Sequence, residues 1–455
     1  MRDSINRRDF LRRAGTVSLG LSLAGQVAFG ANAATPATKP LRRRVGPNDT
    51  LNVAVVGTNG RGLAHVECLT NMPGVQVTSI CDVDDRAIAL GIKTAAKRQK
   101  AEPKGLKDFR KALEDQSLDA VTIATPDHWH APMAILALAA GKHVYVEKPC
   151  SHNPYEGELL IEAMRKHQRV VQMGNQRRSF PNIRQAIQEI HGGIIGRAYF
   201  GRAWYTNGRA SIGHGKPAPV PGWLDYDLWQ GPAPRRPYRD NVIHYNWHWF
   251  WNWGTGEALN NGTHEVDLCR WALQVDWPIH VVSSGGRYQF DDDWETPDTQ
   301  VIGWDFAEKK SIAWEGRSRN DYPVDGSARA VMVYGTEGSA LLDGNSYTIF
   351  DKNKKVIKEM KEKAAADPTN ILSSTGMALD QLHFQNFADA IRSGTPLNSP
   401  IEEGHKSVAM LHLGNIAWRV GRELHCDPAN GHIQKDSGAS KLWRREYERG
   451  WAPVV

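Results

Sequence analysis

Cysteine is scarce: the chain has five in 455 residues, at positions 68, 81, 150, 269 and 426. None forms a Cys-x-x-Cys pair or stands at metal-ligand spacing, and the odd number leaves at least one thiol unpaired. A disulfide framework and a cysteine-based metal site are both excluded as organising principles, and no metal is expected. Low-complexity tracts are also missing, and with 41% hydrophobic and 23% charged residues the composition is that of a folded globular chain. Long apolar runs are lacking. The stretch from about Val17 to Phe29 is short and contains Gly and Ser, so a stable membrane span is not expected. Blocks of one charge sign reduce to Arg42, Arg43 and Arg44, which read as a solvated linker, and nucleic acid is not an expected partner. Residues 1–33 hold five Arg and two Asp, so the net charge of +6 becomes +3 without them.

The first 33 residues are an address. Asn6-Arg7-Arg8-Asp9-Phe10-Leu11-Arg12 precedes the apolar stretch, and Ala31-Asn32-Ala33 supplies the small residues a signal peptidase accepts. The segment resembles a twin-arginine export signal, departing from the usual pattern at Asn6 and Arg12. It implies a protein exported already folded to the periplasm, with its cofactor loaded beforehand. Residues 34–49 read as a linker.

Residues 50–178 carry an α/β dinucleotide pattern. Leu51–Val56 is a short, β-branched run suited to a buried parallel strand, and it meets Gly57-Thr58-Asn59-Gly60-Arg61-Gly62. Such a turn lets backbone N–H groups approach a diphosphate at a helix N-terminus, where the dipole favours negative charge. Asn59 takes the second glycine position of the usual G-x-G-x-x-G pattern. A second strand, Val75–Cys81, ends at Asp82, where a carboxylate can accept the adenine ribose hydroxyls. Asp82 favours NAD over NADP, although NADP stays possible because Arg86 stands close by.

A third strand, Ala120–Ala124, leads into Thr125-Pro126-Asp127-His128-Trp129-His130, and a fourth, His143–Val146, into Glu147-Lys148-Pro149. With these two turns the chain, from about Asn48 onward, resembles the Gfo/Idh/MocA oxidoreductases. The resemblance implies an N-terminal Rossmann NAD(P)-binding domain followed by a C-terminal α+β domain with a large, mainly antiparallel open sheet. It implies that Lys148 contacts the substrate hydroxyl, while Glu147 and Pro149 shape the nicotinamide site. Asn175 and Gln176, after the strand Val170–Gly174, are expected to enter the cleft, and Thr125, Pro126 and His130 to border it.

Residues 179–455 are expected to bind substrate and mediate homo-oligomerisation as a dimer or tetramer. Apolar runs at 279–288, 300–306, 310–315, 328–334 and 339–350 predict the antiparallel sheet, and helices are expected at 377–393 and 401–421. In the segment Glu257–Asp267 the family carries an acid four residues before a histidine, a spacing that shares one helix face. His264 matches the histidine, which suits removal of a hydroxyl proton near neutral pH. The acid position is Asn260, which cannot ionise. Glu257 and Glu265 are the nearby carboxylates.

Twelve of the sixteen tryptophans lie between 204 and 314, and Trp247, Trp249, Trp251 and Trp253 alternate with other residues. In an extended strand all four indoles would share one side, as a platform for a sugar ring or as a packing row. Trp204, His244, Trp247, Trp249 and Trp251 are the candidate substrate contacts, with Tyr245 a weaker candidate.

The expected function is a periplasmic NAD(P)-dependent oxidoreductase that acts on a secondary hydroxyl of a sugar, polyol or glycoside and recycles a tightly held cofactor. A second reading is an NAD-dependent glycosidase or lyase working by oxidation, elimination and reduction. A third is a nucleotide-loaded sugar-binding protein without turnover.

Overall fold

The computed structural model describes residues 45, 46, 48–362 and 374–455. The export segment 1–33 and most of the linker 34–49 lie outside the described residues.

Six parallel strands form the first sheet: β1 (Leu51–Val56), β2 (Val75–Cys81), β3 (Lys104–Leu106), β4 (Ala120–Ile123), β5 (His143–Val146) and β6 (Val171–Met173). Their order, β3-β2-β1-β4-β5-β6, is the doubly wound Rossmann arrangement. Helices α1 (Arg61–Thr70), α2 (Asp85–Ala95), α3 (Arg110–Leu113), α4 (Asp127–Ala139) and α5 (Pro154–His167) make the crossovers. Val53, Ala54 and Val55 are fully buried, as expected where helices cover both faces of a parallel sheet.

After α6 (Pro181–His191), strand β7 (Ala198–Thr206) opens the second sheet. It is followed, past α7 (Tyr226–Gln230), α8 (Gly256–Asn260) and α9 (Gly262–Leu273), by β8 (His280–Gly286), β9 (Thr299–Phe306) and β10 (Lys310–Arg317). Then come β11 (Arg329–Gly335), β12 (Gly338–Asp343), β13 (Ser346–Asp351), β14 (Val356–Met360) and, after α10 (Ser374–Ser393) and α11 (Ile401–Val420), β15 (Leu424–His425). The order is β14-β13-β12-β11-β7-β10-β9-β8-β15, antiparallel throughout except for the β7–β10 pair. Burial alternates along β9, β10 and β12, so one face packs and the other does not. The packed face meets α9 and α11, where Val266, Leu268, Cys269, Leu411 and Leu413 are fully buried.

The expected strands and the last two helices form within a few residues of their predicted ends. The run 339–350 is two strands joined by a turn at Gly344, and the central strand β7 was not anticipated. Packing also crosses the boundary expected at residue 179. Phe384 of α10 stacks on Tyr145 of β5 with ring centroids 4.4 Å apart, and Phe387 and Ala388 join Leu51, Val53 and Leu69 in the core beneath the first sheet. The chain therefore returns to complete the first domain's hydrophobic cover. All five cysteines are buried and unpaired.

Candidate active site

The glycine turn is shaped by close approach. Gly57 has φ +85°, and a Cβ there would lie 2.6 Å from the carbonyl oxygen of Ala124. A Cβ on Gly62 would lie 1.9 Å from the carbonyl oxygen of Gly57. Both positions demand glycine. Gly60 and Asn59 face open space in the cleft, so asparagine at the second position meets no steric conflict with the protein. Helix α1 starts at Gly60 with no side-chain cap and no acidic residue in its first turn, leaving its dipole uncancelled toward the cleft. That cradle fits a diphosphate.

Asp82 is buried; its Oδ2 accepts from the Thr58 backbone N–H at 2.6 Å and its Oδ1 from that of Asp84 at 3.0 Å. A carboxylate keeps further lone pairs, and Asp82 lines the cleft, which fits a ribose hydroxyl. The Thr58 hydroxyl donates to the Ala87 carbonyl and ties the turn to α2. Arg86 is held by the Asp84 carboxylate at 2.7 Å, lies over the Trp223 ring with 3.4 Å to its centroid, and does not line the cleft. A carboxylate rather than a guanidinium therefore faces the ribose position, and the site suits NAD.

Arg61 turns inward: it donates to Glu147 at 2.8 Å and to Asp380 at 2.5 Å. Glu147 also meets His65 at 3.0 Å and accepts from Gln176 at 3.0 Å. Burial opposes its charge, but Arg61 and His65 outweigh burial and hold the carboxyl well below its ordinary value. Gln176 therefore supports Glu147 from behind. Asn175 is buried with neither amide atom bonded and stands outside the lining. His130 has its two ring nitrogens 2.6 Å from the Pro149 carbonyl and 2.7 Å from that of Thr125, stapling the two turns together. The Thr125 hydroxyl is buried without a partner at the edge of the cleft.

These elements enclose a cavity of about 460 Å³. One wall is the glycine turn, Asp82, Thr125, Pro126 and Lys148; the other comes from Leu228, Trp229, His244, Tyr245, Trp247 and His248. Lys148 reaches across to Asn260, donating to its backbone carbonyl and, at 3.1 Å, to its Oδ1. The Asn260 amide nitrogen faces Glu257 Oε1 at 3.4 Å, so the amide bridges a cation and a carboxylate. Burial holds the Lys148 ammonium below its ordinary value against the pull of Glu147 and Asp127.

Asn260 and His264 do not share one helix. The backbone breaks at Asn261, and His264 sits in the first turn of α9, buried and outside the cavity lining. Burial first, then the charges of Lys148, Arg329 and Arg177, hold its imidazole well below the ordinary value, so it is neutral at pH 7. Neither nearby carboxylate bonds it. Glu265 is tied to Arg329 at 2.7 Å, and Glu257 to Arg209 at 2.8 Å and Ser318 at 2.9 Å.

The tryptophan row does not form. Asn246–Trp249 is a 3-10 turn, and three residues per turn swing alternate side chains apart. Trp247 lines the cavity and stacks on His248 at 3.6 Å. Trp249 is 1% exposed and stacks on Trp294 in the core; Trp251 borders a different cavity; Trp253 packs with Phe250 and Trp229. Trp204 is fully buried with its indole N–H on the Ser327 carbonyl. Of the expected substrate contacts, Trp247 and His244 reach this cavity.

The stretch 223–255 straps across the nucleotide side. The Asp85 N–H donates to the Trp223 carbonyl, that of Asp225 to Val83, and that of His128 to Trp253, while His244 meets Asp84 at 3.0 Å. Sequence reasoning missed Asp84, Trp223, Trp229 and His248, whereas Tyr245, a candidate beside His244, does line the cavity. Only Asp84 left a signal, as the N-cap of α2 accepting from the Arg86 N–H.

A family described as an oxidoreductase family with an NAD-binding Rossmann fold matches residues 51–175, and its C-terminal alpha/beta domain matches residues 197–452. Glycosyl hydrolase family 109 protein 1 of Shewanella sp. (strain ANA-3) is 30% identical over 217 residues, 45% of this chain and 46% of that one. Alpha-N-acetylgalactosaminidase of Shewanella oneidensis is 29% identical over 214 residues, with 45% and 46% covered. The match thus spans about half the length of these curated relatives. Among solved structures, levoglucosan dehydrogenase in complex with NADH and levoglucosan aligns with a TM-score of 0.64 at 19% identity, covering 82% of this chain and 99% of that one. GenD2 from gentamicin A biosynthesis in complex with NAD aligns at 0.61 and 22%, covering 85% and 99%. The glycine cradle and the two sheets agree with both domain matches, and the chain belongs to the Gfo/Idh/MocA oxidoreductase family, with NAD as the cofactor of its Rossmann domain.

Proposed function

We propose that the protein is an NAD-dependent enzyme that oxidises a secondary hydroxyl of a carbohydrate. The observation that carries this is the meeting of Lys148 and Asn260 at one cavity with the diphosphate cradle and Asp82. NAD, when bound, supplies the hydride acceptor. Lys148 holds the substrate oxygen through Nζ, and its lowered affinity for a proton eases proton exchange there. Asn260 orients Lys148 and, through Glu257, keeps a carboxylate near without placing it on the cation. His264, neutral at pH 7 and behind the cavity lining, is assigned no proton-transfer step.

The names of the curated relatives favour a second reading, a redox-neutral glycosidase in which oxidation is transient and the glycosidic bond is cut between two redox steps. One experiment separates the two. The protein as purified is offered a panel of sugars and glycosides while nicotinamide absorbance, released reducing sugar and solvent deuterium uptake are followed. A lasting absorbance change supports the oxidoreductase. Released sugar and carbon-bound deuterium without net absorbance change support the glycosidase. Neither signal across the panel overturns both.

The proposal includes export, supported by the order of twin arginines, apolar stretch and small residues in 1–33, and a homo-oligomeric state. Cell fractionation with an Arg7→Lys, Arg8→Lys variant tests the first, and light scattering tests the second.

A further inference from the structure

The segment that closes the first cavity with Trp247 and His248 goes on to line a second one, of about 530 Å³, with Trp251, Asn252, Gly254 and Thr255. Nothing in the proposed chemistry uses this space. Its floor contains two histidines, His152 and His412. The Nε2 of His152 lies 3.1 Å from the Gly254 carbonyl oxygen, and that of His412 lies 3.1 Å from the Ser151 carbonyl oxygen. A carbonyl only accepts, so each ring carries its proton on Nε2 and keeps Nδ1 as an acceptor. Among the described residues neither Nδ1 has a hydrogen-bond donor. Burial pushes His412 down to about 3 and His152 well below its ordinary value, so both rings stay neutral at pH 7.

The other lining is cationic. Arg236, Arg419, Lys441, Arg444 and Arg445 border the cavity against the single carboxylate of Glu446. Arg445 is the anchored member: its side chain is 10% exposed, Nε donates to Glu156 at 2.7 Å, Nη2 to the His128 carbonyl at 2.8 Å, and Nη1 has no partner. Arg419 lies over the Trp251 ring at 5.0 Å from its centroid.

The two sets of groups ask for different things from a ligand. Neutral imidazole acceptors need hydroxyl donors, which a bare inorganic anion lacks. Guanidinium forks match a carboxylate or sulfate, which a neutral sugar lacks. We infer that this second cavity binds an acidic sugar, a glycan unit bearing a carboxylate or a sulfate ester, apart from the hydroxyl that reacts. The site goes beyond the proposed chemistry and is read without turnover, so failure of either leaves the other standing.

The test is calorimetric titration of the full-length purified protein with galacturonate, galactose 6-sulfate, galactose and inorganic sulfate. The expected result is saturable binding of at least one acidic sugar, weakened by NaCl, with galactose and inorganic sulfate at least about tenfold weaker. Binding of galacturonate alone, or of the sulfate ester alone, supports the site and identifies which anion it takes. Arg419→Gln and Lys441→Gln, both at exposed positions, should each weaken the acidic sugar about tenfold, while Lys148→Ala in the first cavity should leave it within about twofold. Galactose or inorganic sulfate binding as tightly as the acidic sugar overturns the inference. So does the absence of acidic-sugar binding up to concentrations on the order of millimolar, or binding lost in Lys148→Ala yet kept in both cavity variants.

Discussion

The glycine turn at Gly57–Gly62 and the aromatic run at Asn246–Trp253 border the same cavity, yet they follow different rules. In the turn, residue type is dictated by backbone approach: a single added carbon at Gly62 would sit 1.9 Å from a carbonyl oxygen. In the aromatic run, residue type constrains little, because an indole is equally at home on Trp294 in the core, on His248 at the cavity edge or beside Arg419 over the second cavity. Glycine patterns therefore report on conformation, whereas aromatic patterns report on burial somewhere.

Lys148 tests the half of the cavity built by the first domain. Lys148→Ala should lower turnover by roughly 10²–10⁴-fold, the usual worth of a positioned proton-transfer group. Bound NAD measured after denaturation should stay at the wild-type level; normal rates would remove Lys148 from the chemistry. The aromatic half divides more sharply. Trp249→Ala should cost about 3–5 kcal/mol in denaturant unfolding, because the ring is 1% exposed against Trp294. Trp247→Ala, at a half-buried position, should cost clearly less stability than Trp249→Ala and raise KM. Equal stability losses at both positions would restore the single row that the alternation suggested.

For the turn, Gly62→Ala should destabilise by about 1–3 kcal/mol and empty the nucleotide site, whereas Gly60→Ala, which meets open space, should fold unchanged. Matching unfolding curves for the two would contradict the close approach. Across the strap, Asp84→Asn weakens the partner of both Arg86 and His244 and should speed NAD release about tenfold, followed by competition with a fluorescent analogue. An unchanged release rate would mean that the strap does not retain the nucleotide.

The acid dependence of folding is spread over several buried rings rather than one position. Burial holds His128 and His412 down to about 3 and His405 to about 4, against an ordinary value of 6.5. Below pH 6.5 the unfolded chain takes up protons that the folded chain refuses. Stability therefore declines as pH falls toward 4, by up to about 1.4 kcal/mol per pH unit for each ring. Thermal unfolding at stepped pH should show the decline, and His405→Gln should flatten it.

Much of the Rossmann domain was legible because its signals are local. A β-branched run ending at a glycine that must take φ +85°, an acid at the next strand's end, and Lys148 after β5 each state their own geometry within a few residues. Strand β7 was not legible, since Ala198–Thr206 mixes Gly, Arg and aromatics, and its central place comes from β10 and β11 pairing on either side. The Asn260–His264 spacing misled for a related reason. It assumed a continuous helix, but the chain breaks at Asn261, whose side chain bonds Glu257.

The amino-acid sequence by itself determined the parallel sheet, the nucleotide turn, the choice of Asp82 over a basic residue, and the presence of Lys148 at a strand end. These depend on backbone sterics and charge within one βαβ unit. Tertiary structure alone decided the rest. It brought Asn260 to Lys148 across 112 positions of chain, sent Phe384 back under the first sheet, and laid the 223–255 strap over the nucleotide cleft. Such long-range meetings are selected by the joint packing of whole elements, and no short stretch of residues encodes them.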